Sequence, residues 1–151
     1  MVNLNLPAYE YQLREWEGVT QIFCGLRKKW LVLTPEEWVR QHFVALLVGT
    51  YAYPKSLLKI EGGLSVYKTV KRSDLVMYDR DGLPFLLVEC KAPEVKITTP
   101  VLEQALRYNH VIKAPYVALS NGMEHFVFQL DPAGKLSRLT DLPAFGKKDT
   151  D

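Results

Sequence analysis

At 151 residues, the chain is the length of one domain able to bury about 70% of its unfolded surface. Hydrophobic residues make up 48%, with three Trp, eight Tyr and six Phe, enough for a globular core. A net charge of +2 gives no overall field that demands nucleic acid, and two cysteines exclude a disulfide framework. With no signal peptide and no run of ~20 apolar residues, no membrane segment is read and a reduced cytoplasm is the expected compartment.

Residues 11–16 and 21–23 read as short strands linked by Gly18 and Gly25, and residues 30–33 as another. Thr34 then N-caps a helix with Pro35 at its first position and Glu37 at the capping-box position. Trp38, Val39, Phe43, Leu46 and Leu47 recur there at helical spacing, and Gly49 is expected to end it. The following Gly49-Thr-Tyr-Ala-Tyr-Pro-Lys55-Ser56 mimics a phosphate-binding loop. Pro54 replaces its glycine and the segment follows a helix rather than a strand, so no ATP site is read here. Residues 57–60 precede Gly62-Gly63 as a strand, and residues 74–78 and 85–91 form two arms of a hairpin. Thr98-Thr99-Pro100 opens a second helix that ends near Lys113, with Val101, Ala105, Leu106 and Val111 expected inward. Two more strands, 116–119 and 125–128, flank the Asn121-Gly122 turn. Residues 146–151 are a polar tail expected to be disordered, which leaves 1–145 as a single domain. The expected fold is mixed α/β, a central mixed sheet flanked by helices.

The hairpin carries the chemistry. A buried strand rarely tolerates charge unless the charges pair or hold a metal, yet Asp74, Glu89 and Lys91 lie in otherwise apolar runs. With period two, Phe85, Leu87, Glu89 and Lys91 share one face, and Asp74, Val76 and Tyr78 share another strand's face. Asp81-Gly82 signals a two-residue turn that would pair Arg80 with Leu83. That register sets Asp74 opposite Glu89 and Arg72 opposite Lys91. Two carboxylates so close repel unless a cation sits between them. Oxygen donors suit Mg²⁺ or Mn²⁺, and a lysine beside such a cation can act on the attacking water or on phosphate charge. A solvated cross-strand salt bridge is the plainer alternative. Val76, Phe85 and Leu87 disfavour it by making the face apolar toward the turn.

Asp74 followed by Glu89-Cys90-Lys91 resembles the D…(D/E)-x-K signature of the PD-(D/E)xK nuclease superfamily. Five ordered blocks narrow the resemblance: Leu33-Thr-Pro-Glu-Glu-Trp-Val-Arg-Gln41, Arg72-Ser-Asp74, Glu89-Cys-Lys-Ala-Pro93, Gln104-Ala-Leu-Arg-Tyr-Asn109 and Ser120-Asn-Gly122. Together they are similar to the nuclease domain at the N-terminus of type I restriction enzyme R subunits, and they cover about residues 26–128. The resemblance implies a restriction-endonuclease-like core in which Asp74, Glu89 and the Cys90 carbonyl hold Mg²⁺ or Mn²⁺ and Lys91 is the catalytic lysine. It also implies that Gln104 and Tyr108 match a Q-x-x-x-Y element shared with RecB-like nucleases. Ser73 departs from the proline of the superfamily's name.

Lesser features are weighed against plainer readings. Glu37 is a candidate third acid, but capping explains it fully. Gln104 and Tyr108, at i and i+4 on one helix face, are accessory candidates whose alternative is an ordinary surface pair. Lys71, Arg72 and Lys96 are candidate nucleic-acid contacts, although basic runs are usually solvated faces. His42, His110 and His125 show no metal-ligand spacing. The expected activity is Mg²⁺-dependent endonucleolytic hydrolysis of nucleic acid, DNA foremost, alone or with other restriction subunits. The alternatives are a module that grips nucleic acid without cutting, and a non-catalytic interaction subunit of a restriction or repair complex. Met1 and the polar ending favour a free-standing protein.

Overall fold

The computed structural model describes residues 1–62 and 73–146. The expected tail from Lys147 onward, and the expected positions of Lys71 and Arg72, lie outside them.

Two sheets form. The first is a three-stranded antiparallel sheet of β1 (Leu13–Trp16), β2 (Val19–Cys24) and β3 (Lys29–Val32). Trp16 pairs with Val19 across Glu17 (φ 50°) and Gly18 (φ 78°), the two successive positive φ angles of a type I′ hairpin. The second is a six-stranded sheet in the order β4-β5-β6-β7-β8-β9. Its strands are β4 (Leu58–Gly62), β5 (Ser73–Tyr78), β6 (Pro84–Cys90), β7 (Tyr116–Ser120), β8 (His125–Leu130) and β9 (Leu136–Leu139). All pairs are antiparallel except β6 with β7. That parallel pair needs a crossover, supplied by helix α2 (Thr99–Ile112). The sheet is therefore mixed, as expected.

The continuous apolar runs of β6 and β7 reflect burial on both faces. On one face Leu75, Met77, Leu86, Val88 and Cys90 pack with Val39, Phe43 and Leu47 of α1 (Pro35–Ala45). On the other, Val76, Leu87, Val117 and Leu119 pack with Ala105, Leu102 and Leu106 of α2. Phe85, expected beside Leu87, joins the first cluster through Tyr53, Tyr116 and Phe145.

Helix α1 begins as read. The Thr34 Oγ1 accepts from the Glu37 backbone N–H at 3.0 Å, and Pro35 occupies the first turn. Gly49 does not end it. The helix passes instead into a π-turn, Leu46–Thr50, which takes in Gly49, its Cβ position free of contacts. Within α2, Val111 is 77% exposed, a correction to the expected inward set. From Ala105 the inward row runs at spacings of four and seven to Asn109 and Ile112, and Val111 falls between those spacings. The helix closes on Lys113 in the left-handed region. Asn109 clamps that end, donating to the Ala114 carbonyl and accepting from the Ala114 N–H, both at 3.0 Å.

His42 is buried in α1 against Trp38 and Tyr9. Burial pushes its pKa below the ordinary value, partly opposed by its bond to the Trp38 carbonyl at 2.8 Å. A depressed histidine makes the unfolded chain the better proton binder, so stability falls as pH drops through about 6.5 toward the folded value. Melting temperatures between about pH 7 and pH 5 should show this decline, and His42→Gln should flatten it. An unchanged slope in that variant would assign the decline to other groups.

Candidate functional site

The β5–β6 hairpin does not close as a two-residue turn. Asp79 donates its N–H to the Leu83 carbonyl at 2.7 Å, and Gly82 donates to the Asp79 carbonyl at 3.0 Å. The loop is Arg80-Asp81-Gly82, with Gly82 at φ 81°, a three-residue hairpin loop with glycine in the left-handed position. This corrects the expected Arg80–Leu83 pairing and shifts Tyr78 onto Pro84. An irregularity between Met77 and Tyr78 absorbs the extra residue. Beyond it Met77 pairs with Leu86, Val76 with Leu87 and Leu75 with Val88, the register expected from sequence. Continued by one residue, that register sets Asp74 opposite Glu89.

The neighbouring strand adds a residue that sequence reasoning missed. Glu61 of β4 pairs with Asp74 of β5, one position beyond Leu75–Val88, the last pair between β5 and β6. The sign was available in Ile60-Glu61-Gly62, a charge at the end of an apolar strand, but locating its partner required the β4–β5 register.

Glu89 is 5% exposed. Its Oε1 lies 3.4 Å from the Lys91 Nζ, and the Lys91 side chain is 23% exposed. The ammonium thus reaches from the solvent margin to a buried carboxylate two residues back on the same face, as the period of two requires. Backbone bonds fix the segment that carries it. The Lys91 N–H donates to the Ser120 carbonyl at 2.8 Å, Val95 N–H to the Ala92 carbonyl at 3.0 Å, and Asn121 Nδ2 to the Val95 carbonyl at 2.8 Å. Cys90 is buried on the opposite face, where burial pushes its thiol well above the ordinary range. That thiol stays protonated and is no nucleophile at neutral pH.

The Ser120-Asn121-Gly122 block is a structural clamp. Asn121 Oδ1 accepts from the N–H groups of Met123 and Glu124 at 2.9 and 2.8 Å. The Ser120 Oγ accepts from Gly122 N–H at 2.9 Å and bonds His125 Nδ1 at 2.8 Å. Gly122 has φ 86°, and a Cβ there would come within 2.7 Å of Leu4 Cδ2 and 3.0 Å of Val39 Cγ2. Gly122→Ala should therefore cost about 2 kcal/mol in denaturant unfolding. Gly134→Ala is the control, with φ 85° but no contact within 4 Å. Equal losses would show that packing contributes nothing at Gly122.

Other sequence candidates fall in different places. Glu37 lies on α1, against the face of Cys90 rather than of Leu87 and Glu89. Its carboxylate bonds Arg40 Nη1 at 2.7 Å and Gln41 Nε2 at 2.9 Å, so it does not fold back as the second half of a capping box. Arg40, 4% exposed, also bonds Glu36 at 2.8 Å. Desolvation works against its charge, but Glu37 and its other neighbours outweigh that and raise its pKa. Tyr108 is half-buried in the α2 cluster with Leu87, while Gln104 is exposed on the same helix. Lys96 is exposed in the loop before α2. His110 is exposed, and His125 is held by Ser120 and the Asn5 carbonyl.

Among the described residues no group of three or more His, Cys, Asp or Glu converges. A hard cation would instead draw on Glu89, a buried carboxylate, and on Asp74 and Glu61, which pair across β4 and β5. Those donors are oxygen only, the type that suits Mg²⁺ or Mn²⁺, and the buried Glu89 already stands beside a positive charge. The donor types present are those such an ion takes.

The fold is mixed α/β, with Glu89 and Lys91 beside the β5 strand that carries Asp74. The chain belongs to the family described as type I restriction enzyme R protein N terminus (HSDR_N), which residues 35–143 match. It is also similar to the type I restriction enzyme EcoAI endonuclease subunit of Escherichia coli, 30% identical over 70 residues. That stretch is 46% of this chain and 8% of the relative. No solved structure matches it. Among the described residues, no helix is long and apolar enough to cross a membrane.

Proposed function

We propose that this chain is a PD-(D/E)xK-type nuclease domain that hydrolyses nucleic-acid phosphodiester bonds, DNA foremost, with Mg²⁺ or Mn²⁺. The observation that carries the reading is the buried Glu89 with the Lys91 ammonium 3.4 Å away, on the strand that pairs with the strand of Asp74. Membership of a restriction-enzyme family supports it. Asp74 and Glu89 would hold the cation, with the Cys90 carbonyl as a further oxygen. When bound, the cation supplies Lewis acidity and a more acidic water. Lys91 acts on the attacking water or on charge that develops on the phosphate. The loop bonds to Ser120 and Asn121 hold Lys91 in place for that task. Tyr108 and Gln104 are accessory positions on the helix above the same face. Action beside other restriction subunits in the cytoplasm belongs to the same proposal.

The test is a gel cleavage assay on single-stranded DNA, duplex DNA and RNA, with Mg²⁺, Mn²⁺ or chelator. Metal-dependent cleavage of at least one form, absent in Lys91→Ala, is the expected result. Binding without cleavage would favour a gripping module, and neither metal nor nucleic-acid binding an interaction subunit.

A further inference from the structure

A second charged feature lies beside the site. The β2–β3 turn and the segment entering β4 enclose a cleft of about 820 Å³. Arg27, Lys28, Lys55 and Lys59 line it, and no Asp or Glu is among its described lining residues. None of these four forms an ion pair with a described residue. In a chain of net charge +2, four cations in one concavity with no ion pair among the described residues are a local excess that repels itself unless an anion enters. The turn is set to hold them there. Lys28 adopts φ 53°, and the Lys55 Nζ lies 3.2 Å from where a Gly25 Cβ would stand. Any larger residue at 25 would displace that ammonium. Lys55 and Ser56 are the end of the segment that resembles a phosphate loop in sequence, and in the fold they flank this cleft.

The cleft spans β4: Leu58 and Ile60 stand on the α1 face, and Lys59 stands on the other. Lys59 pairs with Val76, and Val76 with Leu87, so Lys59 stands on the face that Glu89 shares with Leu87. It is two residues along and two strands across from Glu89, about 12 Å at usual strand spacings. Among the described residues, β4 is the first strand in the sheet order.

We infer that this cleft seats the phosphodiester backbone of the nucleic acid whose scissile bond lies at Asp74, Glu89 and Lys91. The inference rests on the proposed nuclease reading and adds the track by which substrate reaches the site. Its contacts go to phosphates, so they position the polymer without reading its sequence.

Fluorescence polarisation with labelled single-stranded and duplex DNA in chelator, across a salt series, separates binding from cleavage. Wild type should bind with a steep salt dependence. Lys55→Gln/Lys59→Gln should weaken binding about tenfold or more and lower the log–log salt slope by about two. Lys55→Arg/Lys59→Arg should retain binding, and Lys135→Gln, outside the cleft, should bind as wild type. Circular dichroism melts check that each variant folds. Unchanged affinity and slope in Lys55→Gln/Lys59→Gln overturn this inference while leaving the nuclease reading intact. Absence of binding by folded wild type in chelator overturns the inference, and absence with Ca²⁺ present as well overturns both.

Discussion

Lys91→Ala should reduce metal-dependent cleavage by about 10²–10⁴-fold, the usual worth of a positioned proton-transfer or charge-stabilising group, while divalent-cation binding survives. The split follows from the site's division of labour: the carboxylates create the cation site and Lys91 acts on the reacting atoms. The geometry adds a second readout. In the structure the Lys91 ammonium is a counter-charge 3.4 Å from a carboxylate on a residue only 5% exposed. Removing it leaves a buried charge less compensated. Without metal the variant should melt lower than wild type, and added Mn²⁺ should raise its melting temperature more than it raises that of wild type. Full cleavage by Lys91→Ala would remove the lysine from the chemistry. Equal stabilisation by Mn²⁺ in both proteins would remove it from the electrostatics of Glu89.

Arg40→Ala should destabilise the fold by about 3 kcal/mol, read by denaturant unfolding. Arg40 is 4% exposed and bonds Glu37 and Glu36 at 2.7 and 2.8 Å. Its loss leaves the Glu37 carboxylate, 13% exposed, with the Gln41 amide as its remaining partner within the helix. Arg40→Met with Glu37→Gln should recover part of the loss, since removing both charges avoids an unpaired one. A single-variant loss under about 1 kcal/mol would mean that solvent reaches Glu37 and the cluster is a surface network.

Where burial on both faces wrote an unbroken apolar run, as in β6 and β7, the sequence was enough to place the strands. The same holds for α1, whose cap and spacing are local. The hairpin is more instructive. Asp-Gly suits a two-residue turn, but Asp79 Oδ1 accepts from the N–H groups of Asp81 and Leu83 at 2.9 Å and draws the loop out to three residues. The compensating irregularity at Tyr78 is what restored the expected register. The same Asp-x-x-Gly turn recurs at Asp131–Gly134, where Asp131 donates to Lys135 and accepts from Gly134. Its Oδ1 accepts from Lys135 N–H at 2.7 Å. That turn leads into β9, a short polar strand that alternation alone did not reveal. Burial of Arg40 and Gln41 was also illegible. Their spacing from Glu36 and Glu37 shows pairing, but whether a paired helix face is buried depends on what packs against it. The Glu61–Asp74 neighbourhood was hidden for the same reason, since it joins strands separated in the chain.

Isothermal titration of the folded protein with Mn²⁺ tests the central claim most directly. The account predicts saturable binding in wild type, its loss in Asp74→Asn and in Glu89→Gln, and its retention in Lys91→Ala. Binding of equal strength in Glu89→Gln, or none in wild type, would contradict it.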